Sequence, residues 1–257
     1  MSVNNHKENS PDFFSIWLTL AGFLIFSFTI VATHYGLPIY IGSLVNLIIV
    51  YVGFSVMHEA VHGNISNNNA KYKGIEKMAG YFTGFLLWVP YTLFHVLHND
   101  HHWHPDKPGR DPDMWMNEKN IWRIIYKSLT IKVGYTRTFW ENKSEKFLKL
   151  RRVVSLNSAF NWGFFLISGY MIGFYEMFII WYVPTVLAFI VISVFWGWLP
   201  HYSGIKSKAR KKDIPDCLDS RLLNIVLVGQ NYHMLHHQYP QVHFRNYRHL
   251  YKKLLNN

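Results

Sequence analysis

Cysteine is almost missing from this chain of 257 residues: Cys217 is the only one. That excludes a disulfide framework and any cysteine-held zinc or iron–sulfur site. Charge is scarce as well, with 16% Asp, Glu, Lys and Arg against the usual quarter. No internal repeat is found, which excludes solenoids and propellers. No G-x-G-x-x-G fingerprint is found either, so neither a flavin or nicotinamide segment nor a fused reductase is expected. With 50% apolar residues the chain is not intrinsically disordered. What it has instead is 15 histidines, as many as Asp and Glu together, 18% aromatic residues and a formal charge of +11. Nucleic-acid binding, a membrane location and metal binding all remain open on composition alone.

The order of the residues separates them. From Phe13 to Met57 there is no Lys, Arg, Asp or Glu. Gly36-Leu37-Pro38 breaks this stretch into two runs of about 20 residues, each enough for a helix to cross a bilayer. Leu156 to Pro200 is free of Lys and Arg, carries Glu176 alone, and divides near Gly173. The sequence thus predicts an all-α integral membrane protein of a single domain over residues 1–257, with spans at about 13–34, 37–57, 156–174 and 177–199. Every Lys and Arg lies in residues 1–12, 63–78, 98–155 or 201–257. By the positive-inside rule these segments are cytoplasmic, and two helical hairpins that leave and return to the cytoplasm satisfy the pattern. Both termini then lie inside. A third apolar run, residues 78–97, must start and end on that same side, so it is expected to be re-entrant or interfacial. The first span is too long for a cleavable signal peptide and lacks a small-residue cleavage site. Orientation accounts for the positive charge, and nucleic-acid binding loses its support.

The histidines are clustered. His58-Glu59-Ala60-Val61-His62 follows the second span, and on a helix positions i and i+4 stack two imidazoles on one face. The same HExxH pattern serves zinc proteases, whose Glu acts as a general base. His98-Asn99-Asp100-His101-His102 follows the third apolar run, flanked by His95 and His104, and His233-Met234-Leu235-His236-His237 lies near the C-terminus. Both read HxxHH, whose i, i+3 and i+4 positions converge on one helical face. Neutral imidazole is a good ligand for iron, copper, nickel or zinc. Eight clustered histidines are too many for one zinc ion, which takes three or four ligands, so two metal ions are expected in a cytoplasmic helical layer capping the hairpins. The last span ends in Trp196-Gly197-Trp198-Leu199-Pro200-His201, which brings a ninth candidate to the same layer. His6, His34, His243 and His249 have no cluster and default to the surface or an interface.

The order HxxxH, HxxHH, HxxHH around two hydrophobic hairpins resembles the membrane fatty acid desaturase and hydroxylase superfamily. The match runs over roughly residues 50–245, through His58 to Asn64, His98 to His102 with Arg110-Asp111-Pro112-Asp113, Trp198 to His201, and Gly229 to Pro240. These stretches are most similar to β-carotene hydroxylases of the cyanobacterial type and, less closely at the third box, to β-carotene ketolases. The resemblance implies a non-haem di-iron centre that activates O₂, with His58, His62, His98, His101, His102, His201, His233, His236 and His237 at ligand positions. Acyl-CoA desaturases carry an Asn one turn before the position of His201; here it is Gly197. Metal-bound imidazoles usually pass their other N–H to an oxygen, which makes Glu59, Asp100, Asp111, Asp113 and Asn231 candidates to orient them. No catalytic residue separate from the metal ligands is expected.

The implied reaction inserts oxygen from O₂ into a lipophilic substrate drawn from the bilayer, foremost the β-ionone ring of a carotenoid. A carotenoid ketolase and an acyl-lipid desaturase or hydroxylase are the alternatives on the same ligand set. An intramembrane zinc protease on His58, Glu59 and His62, or a metal-binding protein without enzymatic activity, leaves most of the histidine pattern unused. Electrons are expected from a separate carrier such as a ferredoxin, steered by the basic face; anionic headgroups would use the same charge.

Overall fold

The computed structural model describes residues 10–202, 214–215 and 217–256. Among them every regular element is helical. The first two helices, α1 (Phe13–His34) and α2 (Ile39–Val61), form a hairpin about a turn in which Gly36 has φ 103°. Then come α3 (Lys73–Leu86), α4 (Tyr91–Trp103), α5 (Ile121–Leu129), α6 (Ile131–Glu141) and the long α7 (Glu145–Ile172). A second hairpin joins α7 to α8 (Phe174–Tyr202) through Gly173, φ 114°. Three short helices finish the chain: α9 (Arg221–Val226), α10 (His233–Gln238) and α11 (Tyr247–Asn256).

α1 is inside out by the standards of a water-soluble helix. Its buried residues are Ser15, Thr19 and Thr29 with Phe26, whereas Trp17, Leu24 and Phe28 are exposed. In water that face would be a large aggregation-prone patch; in lipid, apolar side chains belong outside and polar ones tie helices together. Thr29 donates to Asn46 Oδ1 on α2 (2.8 Å), and Asn46 Nδ2 donates to the Ile180 carbonyl on α8 (2.6 Å). α1, α2 and α8 are long and apolar enough to cross a membrane. The protein is therefore a membrane protein.

The expected boundaries need three corrections. The second span runs on to Val61, so His58 and Glu59 sit within α2 rather than after it. The last begins at Phe174 and continues through His201. All but the last two residues of the expected span 156–174 lie within α7, which is not among the three apolar helices. Its Asn157 and Asn161 lower the hydropathy, and Asn161 has a structural use: Nδ2 donates to the Phe85 carbonyl (3.3 Å).

The third apolar run forms α3, a tight turn at Leu87–Pro90 with Trp88 at φ 56°, and α4. A helix that stops inside a protein leaves carbonyl groups that need donors. Here each has one: Phe85 from Asn161, Leu86 from Trp181 Nε1 (2.9 Å) and Leu87 from Lys132 Nζ (2.9 Å). Gly84 allows the turn to close, because a Cβ there would lie 2.7 Å from the Val89 carbonyl oxygen. α5 carries an exposed apolar stripe of Ile121, Trp122, Ile125, Tyr126 and Leu129, the pattern of a helix lying on a bilayer surface.

Candidate metal centre

The helix ends converge. α2 carries His58 and is followed directly by His62, α4 carries His98, His101 and His102, α8 carries His201 in its last turn, and α10 supplies His233, His236 and His237. Their ring nitrogens form two groups. One comprises His58, His62, His98, His102 and His236, the other His101, His201, His233 and His237, and within each group the nitrogens lie within 4.8 Å of one another. The nine predicted positions are thus all brought together, five and four. Continuation of α2 stacks His58 on His62, with ring centroids 4.9 Å apart. Near its end α8 contains a π-helical segment, Ser193–Trp198, which changes the angular register of the residues after it; His201 lies 4.9 Å from the His237 ring.

The nitrogens face each other in a way that neutral imidazoles cannot satisfy alone. His98 Nε2 is 3.0 Å from His62 Nε2 and 3.1 Å from His102 Nε2, which is in turn 3.0 Å from His236 Nε2. In the other group His237 Nε2 is 3.2 Å from His101 Nε2 and 3.1 Å from His233 Nε2. Each ring nitrogen has one proton or one lone pair, so it cannot serve two such neighbours. Both nitrogens of His58 and Nε2 of His201 are buried without a hydrogen-bond partner. A cation between the nitrogens resolves the conflict: with metal–nitrogen bonds of about 2.1 Å, ligands at right angles lie about 3.0 Å apart. The donor set fits a pair of transition-metal ions.

One ring differs electrostatically from the rest. Burial, then the charge of neighbouring imidazoles, holds His62, His98 and His236 well below the ordinary histidine range, and takes His102 down to about 3. The same causes lower His233 and His237. These rings stay neutral and keep a lone pair for a metal. His101 goes the other way. Burial opposes its imidazolium, but Asp113 and Asp111 outweigh burial and push it up to about 9. Two carboxylates therefore favour positive charge beside the second group, and a bound cation would take the proton's place.

Several outer partners turn Nδ1 away so that Nε2 points inward. Asp111 Oδ1 is 2.8 Å from His101 Nδ1, Gln230 Oε1 is 3.1 Å from His233 Nδ1, and the Tyr247 hydroxyl is 2.7 Å from His236 Nδ1. Asp113 Oδ2 approaches His101 Nε2 at 3.5 Å and its other oxygen accepts from the Tyr135 hydroxyl. Glu59 Oε1 lies 3.9 Å from His58 Nδ1, while Oε2 accepts from Asn64 (2.8 Å). Two expected orienting residues do other work. Asp100 accepts from Arg110 (3.2 Å) and faces His104 (3.3 Å), and Asn231 donates to the Leu218 carbonyl (2.8 Å). His243 is partly buried and paired rather than free at the surface, 2.7 Å from Asp12 and 3.8 Å from Glu59. His6 lies outside the described residues. Tyr247 and Gln230 were not anticipated: Gln230 sits one turn before His233 in the same motif, but nothing near Tyr247 in sequence marks it.

The sequence profile described as fatty acid desaturase matches residues 35–257. This chain belongs to the fatty acid desaturase family. It is an oxidoreductase of a family typically dependent on non-haem iron. A search of curated proteins finds no match. Membership in the desaturase family, together with a five-histidine group around His58 and His62, leaves the zinc-protease reading without support.

Proposed function

We propose that this desaturase-family protein is a membrane di-iron oxygenase that hydroxylates the β-ionone ring of a carotenoid. In this reading His58, His62, His98, His102 and His236 hold one iron and His101, His201, His233 and His237 the other. The observation that carries it is an apolar cavity that opens on both groups, lined by His58, His98 and His233 together with Phe54, Phe94, Phe189 and Trp196. Reduced iron with O₂ supplies an oxidant able to take hydrogen from an unactivated C–H bond. The chain's own residues then decide what is presented to it. Phe94 stacks on His98 with centroids 5.1 Å apart, and Trp196 stands 6.0 Å from His58, so a flat apolar group entering the cavity meets aromatic faces beside the ligands. The same rings exclude water, which suits a reaction on an apolar substrate. Asp111, Gln230 and Tyr247 hold ring orientations, and electrons come from a separate carrier such as a ferredoxin. The metal centre and both termini lie on the cytoplasmic side of a multi-pass arrangement, in line with the distribution of Lys and Arg.

Co-expression with iron supplementation in cells that accumulate β-carotene tests this directly. Hydroxylated pigment on chromatography is the expected result. Unchanged pigment with the protein fully iron-loaded overturns the carotenoid assignment. A keto product would identify a ketolase, and altered acyl chains with unaltered pigment an acyl-lipid desaturase or hydroxylase.

A further inference from the structure

Among the described residues, one lysine lines the cavity. Lys132, at the start of α6, reaches inward and donates to the Leu87 carbonyl (2.9 Å) and to Thr185 Oγ1 on α8 (3.3 Å). Its ammonium lies 4.8 Å from the centre of the Phe189 ring. No carboxylate of the described residues is within 4.0 Å of it. An ammonium has three N–H donors, and these two acceptors use two. Capping the turn does not explain a charge, because the neighbouring carbonyls of Phe85 and Leu86 are capped by the neutral donors Asn161 and Trp181. A cation with no counter-ion is expensive to place against apolar surface unless something pairs with it.

Its position relative to the metal ligands is defined by α8. Thr185 and Trp196 stand about three turns apart, or about 16 Å along the helix, and it is Trp196 that packs on His58. A continuous aromatic wall joins the two ends: Trp196 to Phe54 at 4.8 Å and Phe54 to Phe189 at 5.9 Å.

We propose that Lys132 is a specificity-determining residue that binds a hydrogen-bond-accepting oxygen at one end of the substrate. The apolar remainder then lies along Phe189, Phe54 and Trp196 toward the histidine groups. This rests on the reading that the cavity holds the substrate, and it adds that an apolar substrate whose far end already bears an oxygen binds more tightly than the bare hydrocarbon. That oxygen is either the carboxylate of an acyl chain or an oxygen on a polyene. Burial pushes the free Lys132 ammonium down to about 7, and an anionic or strongly accepting partner would restore its proton.

The test is binding, measured as quenching of tryptophan emission in full-length, iron-loaded protein in lipid nanodiscs. Two probe pairs differ only in the terminal oxygen: a conjugated octadecatetraenoic acid against its tetraene hydrocarbon, and retinol against its deoxy hydrocarbon. Wild-type protein is expected to bind the oxygenated member of at least one pair at least about tenfold more tightly. Lys132→Met should bring the two members within about twofold, with hydrocarbon affinity and iron content unchanged. Lys132→Gln keeps an N–H for the Leu87 carbonyl and carries the test if Lys132→Met does not fold; loss of the acid preference is expected there. Discrimination in the first pair marks an acyl substrate, in the second a polyene. Absence of preference in wild type, or a preference that survives both substitutions, overturns the assignment. Because no turnover is needed, an unchanged pigment profile would sink the ring-hydroxylation reading and leave this one standing.

Discussion

The ring nitrogens that face away from the metal groups decide how well the others can point inward. Tyr247 is buried, and its hydroxyl holds His236 Nδ1; Tyr247→Phe keeps the ring and removes only that contact. We expect iron affinity to fall about 10- to 100-fold in Tyr247→Phe and in Asp111→Asn, measured by competition with a chelator. Affinity within twofold of wild type in both would mean that these contacts do not orient ligands. Asp111 was legible in sequence because the Arg-Asp-Pro-Asp turn follows a histidine box. Tyr247 was not, since only the packing of α11 against α10 brings it to His236. Asp100 and Asn231 show the opposite error. Their place inside the boxes pointed to the histidines, but a helix directs adjacent residues to different faces, and both end up on other partners.

At the scale of elements, periodicity and charge gave the two hairpins and the helical histidine boxes without any long-range information. What they did not give is where a helix stops being apolar: α7 is one continuous element because its charged first turns and its apolar remainder share helical periodicity. The α7–α8 hairpin depends on Gly173, whose φ of 114° is closed to side chains and where a Cβ would also meet the Glu176 carboxylate. Gly173→Ala should destabilise by about 1–3 kcal/mol, lowering the melting temperature by about 2–4 °C for each kcal/mol. Gly163→Ala in the same helix, where nothing lies within 4 Å of the added methyl, is the control and should not lower it. Equal melting temperatures for the two variants would show that the turn relaxes freely.

For the whole molecule, the arrangement of Lys and Arg carries the orientation, and thiol labelling can read it. Cys217 is buried and is the only cysteine, so Cys217→Ser gives a clean background. Tyr35 and Tyr175 at the hairpin turns and Trp103 after the second histidine box are all well exposed. Tyr35→Cys and Tyr175→Cys should react with an impermeant maleimide added to intact cells, and Trp103→Cys only after lysis. Labelling of Trp103→Cys in intact cells would reverse the orientation. The spacing of the boxes marked the nine histidines; it could not show how they divide, because the partition into five and four mixes residues from different boxes. That mixing has a consequence for biosynthesis. Both groups draw on residues 233–237, the last box to leave the ribosome. Neither group is complete until that segment has been synthesised and has folded back onto the earlier boxes.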